Sequence, residues 1–164
     1  MQRAAAIIGS AIFLVVAPGT LAVVVPWYLT HWHFAPPLFP IARLLGAALI
    51  VAGLPILLDS FARFALQGLG TPAPVMPPRR LVVTGFYRYV RNPMYVALTA
   101  SIAGQGLLFG SVTLLVYGAI LWAGFFVFVV AYEEPALDGQ FRDEYRRYRA
   151  NVRRWLPRST PWRG

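Results

Sequence analysis

The sequence has no cysteine and no lysine, only six acids and only two histidines. The missing thiol excludes disulfides, thiolate metal sites and a cysteine nucleophile. His31 and His33, without a nearby third ligand, are too little for a metal centre. Charge as a whole is scarce: charged residues make up 13% of the chain, about half the usual soluble share. Hydrophobic residues make up 58% of its 164 residues. A soluble domain of this size cannot hide so much apolar surface, because small domains have proportionally more surface to cover. Lipid must cover the rest.

The cations present are fifteen arginines, giving a net charge of +9. Such a balance suits nucleic acid or anionic lipid. Here the arginines flank apolar segments and no nucleic-acid motif occurs, so the partner expected is the bilayer and not nucleic acid.

Four apolar segments stand out: Ala4 to Leu29, Ile41 to Leu66, Pro93 to Phe109 and Val112 to Tyr132. A spanning helix needs roughly twenty apolar residues, so the third is short. Met1-Gln2-Arg3 before an apolar run resembles a signal peptide, with Thr20-Leu21-Ala22 as a weak cleavage site. The run continues to Leu29, long enough to span, and is read as an uncleaved first helix. Gly110-Ser111 joins the last two spans tightly, predicting an antiparallel hairpin. The fold expected is an all-α integral membrane bundle of about four transmembrane helices and a C-terminal amphipathic helix. It forms a single domain over 1–164, with two spans in 1–66, a loop over 67–92, the hairpin over 93–132 and a polar tail over 133–164.

The 67–92 link carries Arg79, Arg80, Arg88 and Arg91, and the chain after Tyr132 carries eight arginines. Arginine-rich loops stay cytoplasmic. Both termini are therefore expected inside and both short links outside, with Arg43 snorkelling to the outer interface. Arginine without lysine suggests a GC-rich genome and hence a bacterial inner membrane. Asp59 and Arg63, four apart, are read as a neutralising pair. His31, His33, Trp27 and Trp32 read as an interfacial aromatic belt. The proline-rich stretch Gly68–Pro78 cannot be helix and is expected to be an extended loop.

Two polar segments carry chemistry. The first, TGFYRYVRNPMY, starts at Thr84. Asn92 is a good helix cap and Pro93 suits the first helical position. Free N–H groups at that helix start, beside Arg88 and Arg91, suit an anion. Lipid phosphates are the alternative occupant. In the second, Leu137, Phe141, Tyr145, Tyr148 and Val152 form one helix face, with arginines on an adjacent face. An interfacial helix on anionic lipid explains those arginines. It does not explain Glu133-Glu134, carboxylates at the edge of the membrane that need a cationic partner. Arg91, Arg88 and a cationic ligand are the candidates.

Arg91-Asn92-Pro93-Met94-Tyr95, the hairpin, Glu133-Glu134, Leu137, Phe141, Tyr145 and Tyr148 together resemble the isoprenylcysteine carboxyl methyltransferase and phospholipid methyltransferase superfamily. Its members typically show G-P-Y-x-x-x-R-H-P-x-Y, then E-E-x-x-L-x-x-x-F-G-x-x-Y-x-x-Y and a terminal proline. The similarity runs from roughly Thr71 to Pro157, about half the chain. It implies S-adenosylmethionine bound at the cytoplasmic end of the last helices and a lipophilic acceptor entering from the bilayer, a carboxylate being expected first. It carries the cofactor residues onto Tyr87, Arg91, Tyr95, Glu133, Glu134 and Tyr148. Arg91, Arg149 and Arg153 are then the candidates for the reacting end. Asn92, Phe86 and Arg142 stand where the family usually has His, Pro and Gly, and Asn151 where many relatives have a basic residue. The alternatives are a phospholipid amine methyltransferase, a sterol-type reductase using a nicotinamide cofactor, and a non-enzymatic lipid-binding protein.

Overall fold

The computed structural model describes residues 2–68 and 80–164. The described residues form helices and turns, with no strand among them. Helix α1 (Gln2–Gly19) passes through a π turn (Thr20–Val24) into α2 (Val25–Thr30). Helix α3 (Ala42–Arg63) ends in a π turn (Phe64–Gly68). A short 3-10 turn (Gly85–Arg88) precedes α4 (Pro93–Phe109). Helix α5 (Val112–Phe128) continues through a third π turn (Val129–Glu133) into α6 (Glu134–Asn151). The extended loop expected over Gly68–Pro78 lies, apart from Gly68, outside the described residues, as does Arg79.

Three stretches are long and apolar enough to cross a membrane: Ile7–Thr30, Ala42–Gln67 and Val112–Asn151, with mean hydropathies of 2.3, 2.1 and 2.4. Only 11%, 28% and 17% of their apolar windows is buried within the protein, so the outward faces need lipid, and the molecule is a membrane helical bundle. The fourth apolar helix is α4, with 17 residues, or about 25 Å of rise. Its shortness goes with its place: Ala97, Leu98, Ile102 and Gly104 are all buried against neighbouring helices.

Helices α3 and α4 approach closely because small residues face each other. A Cβ on Gly46 would stand 2.5 Å from the Gly104 carbonyl oxygen, and one on Gly53 would stand 2.5 Å from Ser101 Oγ. Larger side chains there would force the backbones apart.

The kink in the first span is satisfied from outside it. Pro26 has no N–H, so carbonyls one helical turn earlier lose their donor. Gln105 Nε2 donates to the Ala22 carbonyl at 2.8 Å, and the Tyr117 hydroxyl donates to the Leu21 carbonyl at 3.0 Å. A proline tolerated in lipid is thereby made into a link to α4 and α5.

At one end of the bundle, Gly110 (φ 72°) closes α4 in the left-handed conformation, and Ser111 caps α5 by accepting from the Leu114 N–H. The expected tight hairpin is present. His31 and His33 lie at this end, where Trp32 and Phe34 pack on Phe109. Arg43 donates to the Ala35 carbonyl and lies over the Phe34 ring.

The other end departs from expectation in one respect. A separate tail helix was expected after the last span, but the helix runs on through Glu133 and Glu134. Its break comes at Arg142, with φ 45° and ψ −116°. The π turn absorbs the change from apolar to polar sequence without ending the helix.

Candidate functional site

The polar end of the bundle is built from three segments that meet. The C-terminal chain after α6 runs back along residues 88–91. The Arg91 N–H donates to the Arg153 carbonyl at 2.9 Å, the Arg158 N–H to the Tyr89 carbonyl at 2.9 Å, and the Trp162 N–H to the Arg88 carbonyl at 3.0 Å. Tyr148 donates its hydroxyl to the Tyr87 carbonyl at 2.7 Å, fixing α6 against the 3-10 turn. Arg63 pairs with Asp59 at 2.7 Å and donates to Thr84 Oγ1 at 3.1 Å, so the expected Asp59–Arg63 pair also ties α3 to this turn. Gly85 (φ +56°) lies under that guanidinium, where a Cβ would collide with it.

Two expectations at the start of α4 are corrected. Asn92 makes no side-chain cap. Its Nδ2 donates instead to the Arg154 carbonyl at 3.2 Å, stitching the C-terminal strap to the helix start. Arg88, a candidate partner for the glutamates, donates its Nε to the Trp162 carbonyl at 2.6 Å.

A cleft lies between these segments. Tyr87, Arg91, Tyr95, Glu133, Glu134 and Tyr148 all line it. These are the six residues to which the family resemblance assigned cofactor binding, and helix packing brings them to one place. Arg149 and Arg153 are exposed and line no part of it.

The two glutamates are in different electrostatic states. Glu134 is buried and receives two guanidinium groups: Arg154 grips both oxygens at 2.6 and 2.8 Å, and Arg91 Nη1 reaches Oε1 at 3.2 Å. Glu133 accepts from the Tyr95 hydroxyl at 2.8 Å and has no cationic partner among the described residues. Arg91 also donates to the Tyr145 hydroxyl at 3.1 Å, while its Nε is buried and unpartnered. Burial raises the pKa of the Tyr87 hydroxyl. The Tyr87 phenol therefore stays protonated. Arg154 is a site residue that sequence reasoning missed, since no periodicity distinguishes it from the arginines around it.

A second, apolar chamber of about 350 Å³ is lined by residues such as Phe13, Leu21, Leu57, Phe61 and Phe125. Met94 and Tyr95 line both cavities. Tyr95 stacks on Phe125 with ring centroids 4.8 Å apart, so its ring faces the apolar side while its hydroxyl points to Glu133.

This arrangement sets a charged cleft next to an apolar chamber. Over 78 residues the chain is 37% identical to the protein-S-isoprenylcysteine O-methyltransferase of Schizosaccharomyces pombe, a match covering 47% of this chain and 33% of that protein. The chain thus spans about a third of that relative's length. It is 41% identical over 51 residues to an uncharacterized protein of Haemophilus influenzae, covering 27% of this chain and 81% of the relative. The family model described as phospholipid methyltransferase matches residues 41–144, which take in α3, α4, α5, both glutamates and most of the cleft, and the chain belongs to that family.

Proposed function

We propose that this chain is a membrane methyltransferase that uses S-adenosylmethionine to methylate a lipophilic acceptor. The observation that carries the reading is a pair of unmet polar groups at the cleft: the Nε donor of Arg91, which has no partner, and the Glu133 carboxylate, which has no cationic partner among the described residues. A buried group left this way costs free energy unless a ligand completes it. The amino-acid end of the cofactor is such a ligand, with a carboxylate for Arg91 and an ammonium for Glu133. Tyr87, Tyr95 and Tyr148 offer phenolic faces that favour a neighbouring cation, the sulfonium included. The cofactor supplies an electrophilic methyl group on that sulfonium.

The residues of the chain have alignment as their main task, because in-line displacement depends chiefly on orientation and exclusion of water. Met94 and Tyr95, shared by the two cavities, mark where acceptor and methyl group would meet. The apolar chamber supports a lipid tail, each buried methylene adding roughly 0.8 kcal/mol. Both histidines lie at the opposite end of the bundle from the cleft, so no imidazole is at hand to deprotonate an acceptor. That favours a carboxylate, already ionised, as the acceptor. Arg149 and Arg153, on the exposed face of α6, remain candidates only for parts of a head group outside the cleft. An amine acceptor is the second reading, with Glu133, the cleft carboxylate without a cationic partner among the described residues, to take its proton. We place the cleft, both termini and the strap on the cytoplasmic side of a bacterial inner membrane.

Calorimetric titration of the detergent-solubilised protein with S-adenosylhomocysteine and with reduced nicotinamide cofactor tests the class. Binding of the first alone is expected, and binding of the second alone sinks the reading. Radiolabelled cofactor offered with matched isoprenoid acids, isoprenoid amines and phosphatidylethanolamine then tests the acceptor. Preferential labelling of the acid is expected, rising with tail length, and preferential labelling of an amine overturns the carboxylate.

A further inference from the structure

Arg154 was not among the residues expected from the sequence, yet it makes the closest contacts to Glu134. Its Nε and Nη2 hold the two carboxylate oxygens at 2.6 and 2.8 Å, whereas Arg91 touches only one of them, at 3.2 Å. The exposures of the three side chains are 9% for Arg91, 10% for Glu134 and 31% for Arg154. Two cations share the Glu134 carboxylate, so Arg91 and Arg154 compete for the same pair of oxygens.

The strap holds Arg154 in this position from several sides. Its carbonyl accepts from Asn92, the preceding carbonyl accepts from the Arg91 N–H, and its guanidinium lies 6.0 Å from the centre of the Phe126 ring. The next residue, Trp155, packs on Trp122 with ring centroids 4.5 Å apart. The main chain that delivers Arg154 to Glu134 is thus the same chain that braces Arg91.

Resting on the cofactor reading above, the geometry points to Arg154 as a positioning residue for the anion-binding end of the cleft: by engaging Glu134, it leaves Arg91 charged and directed toward a ligand carboxylate. Without Arg154, both oxygens of Glu134 would turn to Arg91, neutralise it and compete with the ligand for its donors. Arg154 itself lines no part of the cleft, so its effect passes through Glu134 and Arg91.

The test compares S-adenosylhomocysteine with methylthioadenosine, which shares the adenosine and thioether but has no amino-acid carboxylate. Both are titrated into the solubilised full chain and its Arg154→Gln and Arg154→Lys variants, with melting temperatures measured alongside. Arg154→Gln is expected to weaken S-adenosylhomocysteine about ten-fold, the loss of one charge-assisted interaction, while methylthioadenosine is unchanged. Arg154→Lys restores the charge without the planar fork, and most of the lost affinity returns. Equal weakening of both ligands, or unchanged binding of S-adenosylhomocysteine, overturns the inference while the cofactor reading stands. If Arg154→Gln does not fold, Arg154→Met decides in its place: a loss confined to S-adenosylhomocysteine, with methylthioadenosine unchanged, supports the inference, and an equal loss for both ligands overturns it. Failure of the unsubstituted chain to bind S-adenosylhomocysteine overturns the cofactor reading and this inference with it.

Discussion

Glu133 and Glu134 are neighbours in sequence and opposites in the structure, one held by two arginines and the other without a cationic partner among the described residues. Their neutral variants should therefore behave differently. Glu133→Gln removes a carboxylate that the protein does not itself neutralise, so stability should hold or rise. Its affinity for S-adenosylhomocysteine should fall by roughly ten- to a hundred-fold, the worth of a charge-assisted hydrogen bond of about 1.5–3 kcal/mol. Glu134→Gln leaves two guanidinium groups facing each other and should mainly lower the melting temperature. Titration calorimetry with thermal melts of both variants checks this. A stable Glu133→Gln with undiminished affinity would remove Glu133 from the ligand site. At this scale the sequence was informative because order and spacing of Arg91, Tyr95, Glu133 and Tyr148 carry a family pattern. It could not rank the two glutamates, since their difference comes from Arg154, twenty residues away in the chain from Glu134.

Among the elements, α6 holds the clearest conflict between residue and backbone. Arg142 has φ 45° and ψ −116°, a region that only glycine occupies without strain. The family usually has glycine there, so the break in the helix belongs to the fold and the arginine bears its cost. Arg142→Gly should relieve about 1–3 kcal/mol of local strain, less about 0.5–1 kcal/mol for the greater freedom of an unfolded glycine. The expected net effect is a rise of a few degrees in melting temperature, with ligand affinity unchanged. A lower melting temperature would show that Arg142 contributes contacts worth more than the strain. Helix faces were legible in advance: Leu137, Phe141, Tyr145, Tyr148 and Val152 do pack together, beneath Leu81, Val83 and Trp162. The continuity of α5 with α6 was not, because a change of hydropathy marks where lipid ends and says little about where backbone hydrogen bonding ends.

For the molecule as a whole, the α4 start, the α6 face and the returning strap all lie at one end, and the His31–Pro36 link lies with Phe109 at the other. We propose from the arginine bias that the first end faces the cytoplasm. Reporter fusions after Pro36 and after Gly110 should therefore read outside, and one after Arg158 inside. An inside reading at Pro36 would invert the protein and separate the cleft from cytosolic cofactor.

Composition by itself determined that the chain needs lipid, and hydropathy determined the four apolar helices, because both are local properties summed along the sequence. The resemblance to a known family singled out six residues, and these line the cleft. Tertiary structure alone decided how their charges are apportioned. It turned Arg88 to a backbone carbonyl, left Arg149 and Arg153 exposed, and brought Arg154 onto Glu134. Fifteen arginines are alike in a sequence, and only packing sets which of them comes within hydrogen-bond distance of a buried carboxylate.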